Sequence, residues 1–231
     1  MRHKEKDPVT GKTINFIVGE GISKKRATSM WRKEKGTIAW LRTMTEPEDN
    51  LIDVGANVGV YSLFAAVVMD CRVWALEPES QNFARLNQNI KANRMSGHIW
   101  AYPLAASDET GPAQLKVGRL ILGHSGHQIH RRTKSKPDHL QGSWEIRIDD
   151  LNFLNLRPTH IKVDVDGDEP RVMAGMAETL ENPQLRSVQI EINLGSSDHI
   201  GLDAFLRGYD FQKYEAETTR TKGFENWRWR R

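Results

Sequence analysis

The chain has 231 residues, of which 38% are hydrophobic and 27% charged, with a formal net charge of +3. This length suits one domain with a full core, and nearly balanced totals of 33 basic and 30 acidic residues argue against a dedicated nucleic-acid binder. The longest apolar run, 63–69, is too short to span a bilayer. The first residues are charged and are not followed by an apolar stretch, so we expect no signal peptide. The single Cys71 excludes an intrachain disulfide. Together these observations predict a cytoplasmic protein in a reducing compartment.

The first part of the chain is predicted to be a basic extension. Residues 2–35 hold ten lysines and arginines against four acids, which suits an anionic partner or, more simply, a solvated surface. We predict short strands within 1–36, such as one over 13–18, and a helix over 37–44. Residues 1–47 are therefore assigned to an extension that covers a cofactor or substrate, and 48–231 to the main domain.

Strands and helices alternate through the main domain. The predicted elements are strand 51–54, helix 58–69, strand 72–76, helix 80–93, strands 99–104, 113–117, 144–148 and 160–165, helix 170–181, strand 187–192, helix 200–207, and strands 209–215 and 224–230. This repetition predicts an α/β fold with helices on both faces of a mostly parallel sheet and an antiparallel terminal hairpin. A polar loop insertion at about 118–143 carries four histidines, and loops of that length tend to be lids or disordered.

The most informative segment is the turn after strand 51–54. The chain reads Leu51-Ile-Asp-Val-Gly-Ala-Asn-Val-Gly59, so that a glycine turn leads from a strand into a helix. Such a turn lets the backbone approach a ligand and aims the helix N-terminus at it. The glycine spacing is not the G-x-G-x-x-G of dinucleotide sites, and no Gly-Lys-Ser/Thr of a P-loop follows.

Two acidic residues near this turn narrow the choice of ligand. Asp53 suits a cationic ammonium, whereas it would repel a phosphate. Glu77 ends the next strand, where a carboxylate can accept hydrogen bonds from both hydroxyls of a ribose. A ribose and an ammonium without a pyrophosphate indicate S-adenosylmethionine rather than NAD, and a purely structural turn is the alternative.

Four segments occur in an order that characterises one known family. They read Ile52-Asp-Val-Gly-Ala-Asn-Val-Gly59, Leu76-Glu-Pro78, Ile161-Lys-Val-Asp-Val-Asp-Gly-Asp-Glu-Pro170 and Ile190-Glu-Ile192. With this set the sequence resembles the FkbM family of S-adenosylmethionine-dependent methyltransferases over roughly residues 48–193. The resemblance implies a Rossmann-like class I methyltransferase fold with a seven-stranded sheet. It also implies O-methylation of hydroxyls on sugars, polysaccharide units or polyketides.

The resemblance also implies where the cofactor lies. The implied cofactor-binding residues are Asp53, Gly55, Ala56, Asn57 and Gly59 around the methionine part, Glu77 and Pro78 at the ribose, and Ala106 and Ser107 near the adenine. The sequence departs from the family in its acidic segment, where Asp166 stands in place of the usual Glu and Asp168 is an additional acid. Because a shorter carboxylate reaches less far, the acceptor or any metal site can differ from the family norm.

Asp164 and Asp166 are the main candidate catalytic residues. An alcohol is a poor nucleophile, so methyl transfer to oxygen needs a base or a metal that lowers the pKa of the hydroxyl. We expect the two acids to share one face of a strand, where clustered carboxylates raise each other's pKa. They would act as a base or, alternatively, bind a cation such as Mg²⁺, while Asp168 is expected to cap the following helix.

Other side chains have two interpretations each. His127 is a candidate base or substrate contact because histidine titrates near neutral pH, although a solvated loop histidine is the simpler interpretation. Lys162 either pairs with the acids or reaches the pocket. The alternating Trp and Arg residues of 227–230 fit a last strand with tryptophans inward and arginines outward better than a clamp for single-stranded nucleic acid.

The sequence therefore predicts an S-adenosylmethionine-dependent O-methyltransferase that acts on a hydroxyl of a sugar or small natural product. A divalent cation such as Mg²⁺ and a homodimer are both left open, and no membrane span or nucleic-acid partner is expected. The alternatives are an RNA-modifying methyltransferase, suggested by the basic ends, and a non-catalytic methyltransferase-like binding module. The missing Asn/Asp-Pro-Pro-aromatic segment counts against base N-methylation, and the intact motif set counts against a binding module.

Overall fold

The computed structural model describes residues 1–19, 22–33, 35–118, 122–130, 139–154, 156–197, 200–219 and 223–231. The strands are β1 (Arg2–Lys6), β2 (Thr13–Ile17), β3 (Asn50–Val54), β4 (Arg72–Leu76), β5 (Ile99–Tyr102), β6 (Leu104–Ala106), β7 (Gly111–Lys116), β8 (Gln128–Ile129), β9 (Leu140–Ile146), β10 (His160–Val163), β11 (Ser187–Asn193), β12 (Gln212–Thr218) and β13 (Phe224–Arg230). The α-helices are α1 (Ile22–Lys33), α2 (Lys35–Leu41), α3 (Val60–Leu63), α4 (Ser80–Ala92), α5 (Glu169–Ala174), α6 (Ala177–Glu181) and α7 (Leu202–Arg207).

Seven of the described strands form the main sheet, in the order β12-β13-β11-β10-β3-β4-β5. Neighbouring strands from β11 to β5 run parallel, whereas β13 is antiparallel to both β11 and β12. Apolar side chains leave the sheet on both faces, so that Leu51 and Ile52 of β3 enter two different core clusters. The predicted fold class, a mostly parallel sheet with an antiparallel terminal hairpin, is confirmed.

A smaller sheet, with β6, β9, β7 and β8 in that order, lies beside the main one. The sequence predicts a single strand over 99–104, but Pro103 separates β5, in the main sheet, from β6, in the small one. Proline has no N–H to donate, so a strand readily ends there. The strand predicted over 144–148 is β9, which begins at Leu140 and ends at Ile146. The predicted loop insertion also contains a short strand, β8. Residues 119–121 and 131–138 of that insertion lie outside the described part.

Two predicted helices are each divided into two segments. Helix 58–69 consists of α3 followed by a π-helical segment, Phe64–Val68, which the sequence could not reveal because residues 63–69 are apolar on every side. Helix 170–181 is interrupted at Gly175, where a Cβ would lie 1.8 Å from the Ser107 carbonyl oxygen. This close approach allows the 3₁₀ segment Ile148–Leu154 to pack nearby, with the Asp149 amide donating to the Gly175 carbonyl.

The N-terminal extension is part of the main core. β1 and β2 form an antiparallel hairpin, and Phe16 and Met30 are buried in the same cluster as Phe64 and Leu86. The sequence did not predict α1, because its many lysines and arginines leave only a narrow apolar stripe. Within the described residues, no helix has both the length and the apolar character needed to cross a membrane.

The last strand corrects the predicted alternation of tryptophans and arginines. Trp229 is fully buried and Arg230 is exposed, as expected, but Arg228 is also fully buried. Its guanidinium donates to Gln189 at 2.6 Å and to Glu217 at 2.8 Å. The Arg228 guanidinium also donates to the Thr37 hydroxyl of α2 at 3.4 Å. The arginine is therefore covered by α2 and held by the buried Gln189 and by Glu217, whose side chain is 26% exposed.

Candidate active site

A cavity lies at the carboxyl ends of β3, β4 and β10, and the empty space in and around its mouth, open solvent included, is about 620 Å³. In an open α/β sheet this is the edge at which ligands bind. The residues that line it are Arg26, Val54, Gly55, Asn57, Glu77, Pro78, Leu104, Ala105, Ala106, Leu115, Ser125, His127, Ile129, Asp164, Val165, Asp166 and Asp168.

The glycine turn forms one wall of the cavity. Gly55 has a φ of +78°, and a Cβ there would lie 1.9 Å from the Asp164 carbonyl oxygen. Glycine is therefore needed for the turn to pack against the acidic segment. Gly59 has a different role, because a Cβ there would lie 2.4 Å from Cδ1 of Leu86. It allows α3 to pack closely against α4.

Glu77 lies at the floor of the cavity and is only 5% exposed. Its carboxylate accepts hydrogen bonds from the backbone amides of Asn57 at 2.8 Å and Glu79 at 2.9 Å. Burial raises the pKa of Glu77 to about 7, although the two amide donors act in the opposite direction. The carboxyl can therefore change its protonation state near neutral pH when a ligand binds.

The predicted cofactor residues divide into two groups. Gly55, Asn57, Glu77, Pro78 and Ala106 line the cavity. Asp53, Ala56, Gly59 and Ser107 lie behind this wall, and Ser107 is fully buried with its hydroxyl donating to Asp108.

Asp53 is buried beneath the turn. It is 1% exposed, accepts a hydrogen bond from the Ser62 hydroxyl at 2.5 Å, and lies 3.6 Å from the ammonium of Lys162. The same ammonium lies 3.1 Å from Oδ2 of Asp164. Lys162 therefore pairs with the acids, which settles the alternative that the sequence left open.

The acidic segment departs from its predicted geometry. β10 ends at Val163, so Asp164 and Asp166 lie on a turn rather than on one face of a strand, and Asp166 has a φ of +48°. Burial raises the pKa of Asp166, and the nearby charge of Asp164 raises it further. Asp168 occupies the residue before α5, but its side chain makes no capping hydrogen bond and accepts the Ile129 amide at 3.2 Å instead.

Residues 122–130 of the loop insertion, which we call the strap, cross the mouth of the cavity. Asn82 holds one end by accepting the Gly123 amide at 2.7 Å and donating to the His124 carbonyl at 3.1 Å. At the other end, Asp166 accepts the Gly126 amide at 2.5 Å. The strap therefore connects α4 with the acidic turn.

The strap also brings His127 into the cavity wall. Burial lowers the pKa of His127, and its Nε2 lies 3.1 Å from the His124 carbonyl oxygen. Its buried Nδ1 has no hydrogen-bond partner among the described residues. An acceptor or a bound molecule can therefore engage this nitrogen.

Sequence reasoning missed several residues of the site. Arg26 of α1 lines the cavity, and its Nε donates to the Gly123 carbonyl at 2.5 Å. Nothing in the sequence distinguished it from the other basic residues of the extension. Asn82 was also missed, because its role depends on a strap that is distant in the chain.

The cavity suits a nucleoside cofactor. The glycine turn leaves no room for a side chain at Gly55, and the buried Glu77 carboxylate can accept hydrogen bonds from a diol.

A Mg²⁺ ion fits the acidic turn less well, because Asp164 lies beside the ammonium of Lys162 and Asp166 accepts a backbone amide. Within the described ranges, no three His, Cys, Asp or Glu side chains form a cluster that could hold a metal ion.

Solved structures with the same architecture define the class of protein. The magnesium protoporphyrin IX methyltransferase of Synechocystis PCC 6803, solved with bound S-adenosylmethionine, matches with a TM-score of 0.55 at 12% identity, over 93% of this chain and 86% of that chain. The precorrin-6y C5,15-methyltransferase of Geobacter metallireducens matches with a TM-score of 0.52 at 11% identity, over 94% of this chain and 93% of that chain. The fold is that of the Rossmann-like class I methyltransferases.

Sequence comparison identifies the family. The profile of the methyltransferase FkbM domain matches residues 53–213, and the chain belongs to this family, as the sequence motifs predicted. The hexuronic acid methyltransferase AglP of Haloferax volcanii is 25% identical over 167 residues, which cover 72% of this chain and 66% of that relative, slightly under two thirds. The 31-O-demethyl-FK506 methyltransferase FkbM of Streptomyces tacrolimicus is 27% identical over 193 residues, covering 71% of this chain and 73% of the relative.

Proposed function

We propose that this protein is an S-adenosylmethionine-dependent O-methyltransferase that acts on a hydroxyl of a sugar or small natural product. The observation that carries the proposal is the cavity in which the glycine turn, Glu77 and the acidic turn meet. Membership of the FkbM family supports methyl transfer. The names of the two relatives, which specify a hexuronic acid and an O-demethylated natural product, support a hydroxyl acceptor of this kind.

The cofactor would lie along the glycine turn. Gly55 and Asn57 would contact its methionine part, Glu77 would accept hydrogen bonds from the ribose hydroxyls, and Pro78 and Ala106 would contact the adenine side. When bound, S-adenosylmethionine supplies an electrophilic methyl group. The apolar side chains of Leu104, Leu115 and Ile129 in the cavity wall would help to exclude water from the reacting atoms.

The acidic turn would face the acceptor hydroxyl. Asp166 is our candidate for the proton acceptor, because burial and the Asp164 charge raise its pKa toward the working range of a general base. Asp164, whose Oδ2 lies 3.1 Å from the ammonium of Lys162, would stabilise positive charge in the cavity. His127 is a second candidate base, since its Nδ1 has no hydrogen-bond partner among the described residues.

An acceptor screen with methyl-labelled cofactor tests the proposal. Uronic acids, neutral sugars and macrolide alcohols would be compared, each with and without a chelator, and the methylated atom would be identified by NMR. Asp166→Asn should lower kcat by about 10²- to 10⁴-fold, the usual contribution of a general base, while S-adenosylhomocysteine still binds. Glu178→Gln, at a side chain that is 71% exposed, is the control. Failure to bind S-adenosylhomocysteine, or transfer to nitrogen or carbon instead of oxygen, would reject the proposal.

A further inference from the structure

Lys162 is a buried cation at the base of the candidate active site. It lies on β10, paired in register with Asp53 of β3, and is 2% exposed. Lysine is rarely buried to this extent unless it is paired with an acid. The ammonium lies 3.6 Å from Oδ1 of Asp53 and 3.1 Å from Oδ2 of Asp164, and 5.2 Å from the centre of the Tyr61 ring.

The two acids around Lys162 have different surroundings. Asp53 is 1% exposed and is held by the Ser62 hydroxyl of α3, so it does not reach the cavity. The Asp164 side chain is 24% exposed and lines the cavity. Lys162 is therefore anchored from behind by Asp53 and contacts Asp164 from the protein interior.

The backbone of Asp164 is fixed as well. Its amide donates to the Val54 carbonyl at 3.1 Å, and its carbonyl oxygen occupies the space that a Cβ on Gly55 would need. The main chain is thus held by β3 and the glycine turn, and the ammonium of Lys162 contacts the carboxylate at 3.1 Å. A misplacement of about 1 Å at a reacting centre can reduce a rate by about 100-fold.

We propose that Lys162 is a positioning residue for methyl transfer, whose ammonium, anchored by Asp53, holds the Asp164 carboxylate toward the cavity in place of a divalent metal ion. The inference rests on the proposed function, since it assumes that Asp164 faces the reacting groups. It explains why the acidic turn carries several carboxylates without forming a metal cluster in the described part of the chain. It predicts that turnover survives chelation.

Substitution of Lys162 tests this role in the full-length protein. Lys162→Met removes the ammonium, whereas Lys162→Arg keeps a cation. Lys162→Met leaves the buried carboxylate of Asp53 and the partly exposed one of Asp164 without their cation, and it can unfold the chain. The double variant Asp53→Asn/Lys162→Met therefore removes the buried acid together with the cation. Melting temperature and S-adenosylhomocysteine affinity, measured by calorimetry, show whether each variant has folded with an intact cofactor site.

We expect the folded double variant to lose kcat by about 10- to 100-fold, with an unchanged acceptor KM and unchanged S-adenosylhomocysteine affinity, and Lys162→Arg to recover part of kcat. A purely structural lysine would leave kcat unaffected in the folded double variant, and that result would overturn the proposal. Loss of wild-type activity with EDTA and recovery with Mg²⁺ would overturn it too.

A second readout does not depend on turnover. The ¹³Cγ signal of Asp164, assigned by its loss in Asp164→Asn, should shift in the double variant and stay near its wild-type position in Lys162→Arg. An unshifted signal in the double variant would reject positioning by Lys162. If the wild type neither binds S-adenosylhomocysteine nor methylates any hydroxyl, the proposed function fails, and this signal still shows whether the ammonium of Lys162 acts on the Asp164 carboxylate.

Discussion

At the scale of single residues, the buried carboxyl of Glu77 links cofactor binding to pH. Burial raises its pKa to about 7, so the carboxyl changes its protonation state near neutral pH. Ribose hydroxyls would donate to the carboxylate and therefore favour its ionised form. Binding would then release a proton, and the affinity would be low below the raised pKa and rise as the pH increases through about 7.

We expect the affinity for S-adenosylhomocysteine to increase between pH 6 and pH 8, measured by calorimetry in buffers with different ionisation heats. Glu77→Gln should weaken binding by about 1.5–3 kcal/mol, the usual contribution of a hydrogen bond to a charged group, and should remove the pH dependence. Glu169→Gln is a matched control, because the pKa of Glu169 is also raised to about 7 by burial. If Glu77→Gln keeps the wild-type pH dependence, Glu77 does not hold the ribose.

Residue types and their spacing in the sequence placed five of the nine predicted cofactor residues on the cavity wall, but burial was not predictable at every position. Gly55 and Glu77 lie on the cavity because glycine turns and strand-end acids have strong positional preferences. Arg228 was misassigned, because alternation along a strand does not show whether both faces are covered. Its burial depends on α2, which is distant in the chain, and on Glu217 of the neighbouring strand β12.

At the scale of elements, one end of the strap is held by a buried side-chain amide. Asn82 is fully buried on α4, accepts the Gly123 amide and donates to the His124 carbonyl. Because a buried polar group that loses its partner costs about 1–3 kcal/mol, these hydrogen bonds hold the strap over the cavity.

We expect Asn82→Ala to speed hydrogen exchange of the Gly123 amide and to lower the free energy of unfolding by about 1–3 kcal/mol. Mass spectrometry of peptides that cover 122–130 measures the exchange, and urea titration measures the stability. Asn87→Ala is the control, because Asn87 lies exposed on the same helix. Unchanged exchange in the strap would show that other contacts hold it.

The sequence predicted where the strands and helices lie better than where helices are interrupted. α4 begins at Ser80 as predicted and ends one residue earlier than expected, because its apolar spacing is helical throughout. The break between α5 and α6 arises from the contact of Gly175 with Ser107. Such a contact brings together residues far apart in the chain and leaves no local pattern.

At the scale of the whole molecule, the N-terminal extension and the methyltransferase domain share one core. Phe16 of β2 is 1% exposed in the same cluster as Phe64 and Leu86. Trp40 of α2 donates to the Ser187 hydroxyl at the start of β11. Because α1 in this extension also carries Arg26 into the cavity wall, the site depends on how the extension is packed.

Phe16→Ala is therefore expected to destabilise the entire molecule rather than release a local hairpin. Removal of a buried phenylalanine costs about 3–5 kcal/mol, and the loss should appear as a lower urea midpoint with an unchanged slope. Far-UV circular dichroism and tryptophan fluorescence should report one coincident transition, because β2, α1 and the main sheet bury the same cluster. Val9→Ala, at a side chain that is 72% exposed, should leave the midpoint unchanged. Two separate transitions, with only the first affected by Phe16→Ala, would show instead that the extension unfolds independently of the methyltransferase domain.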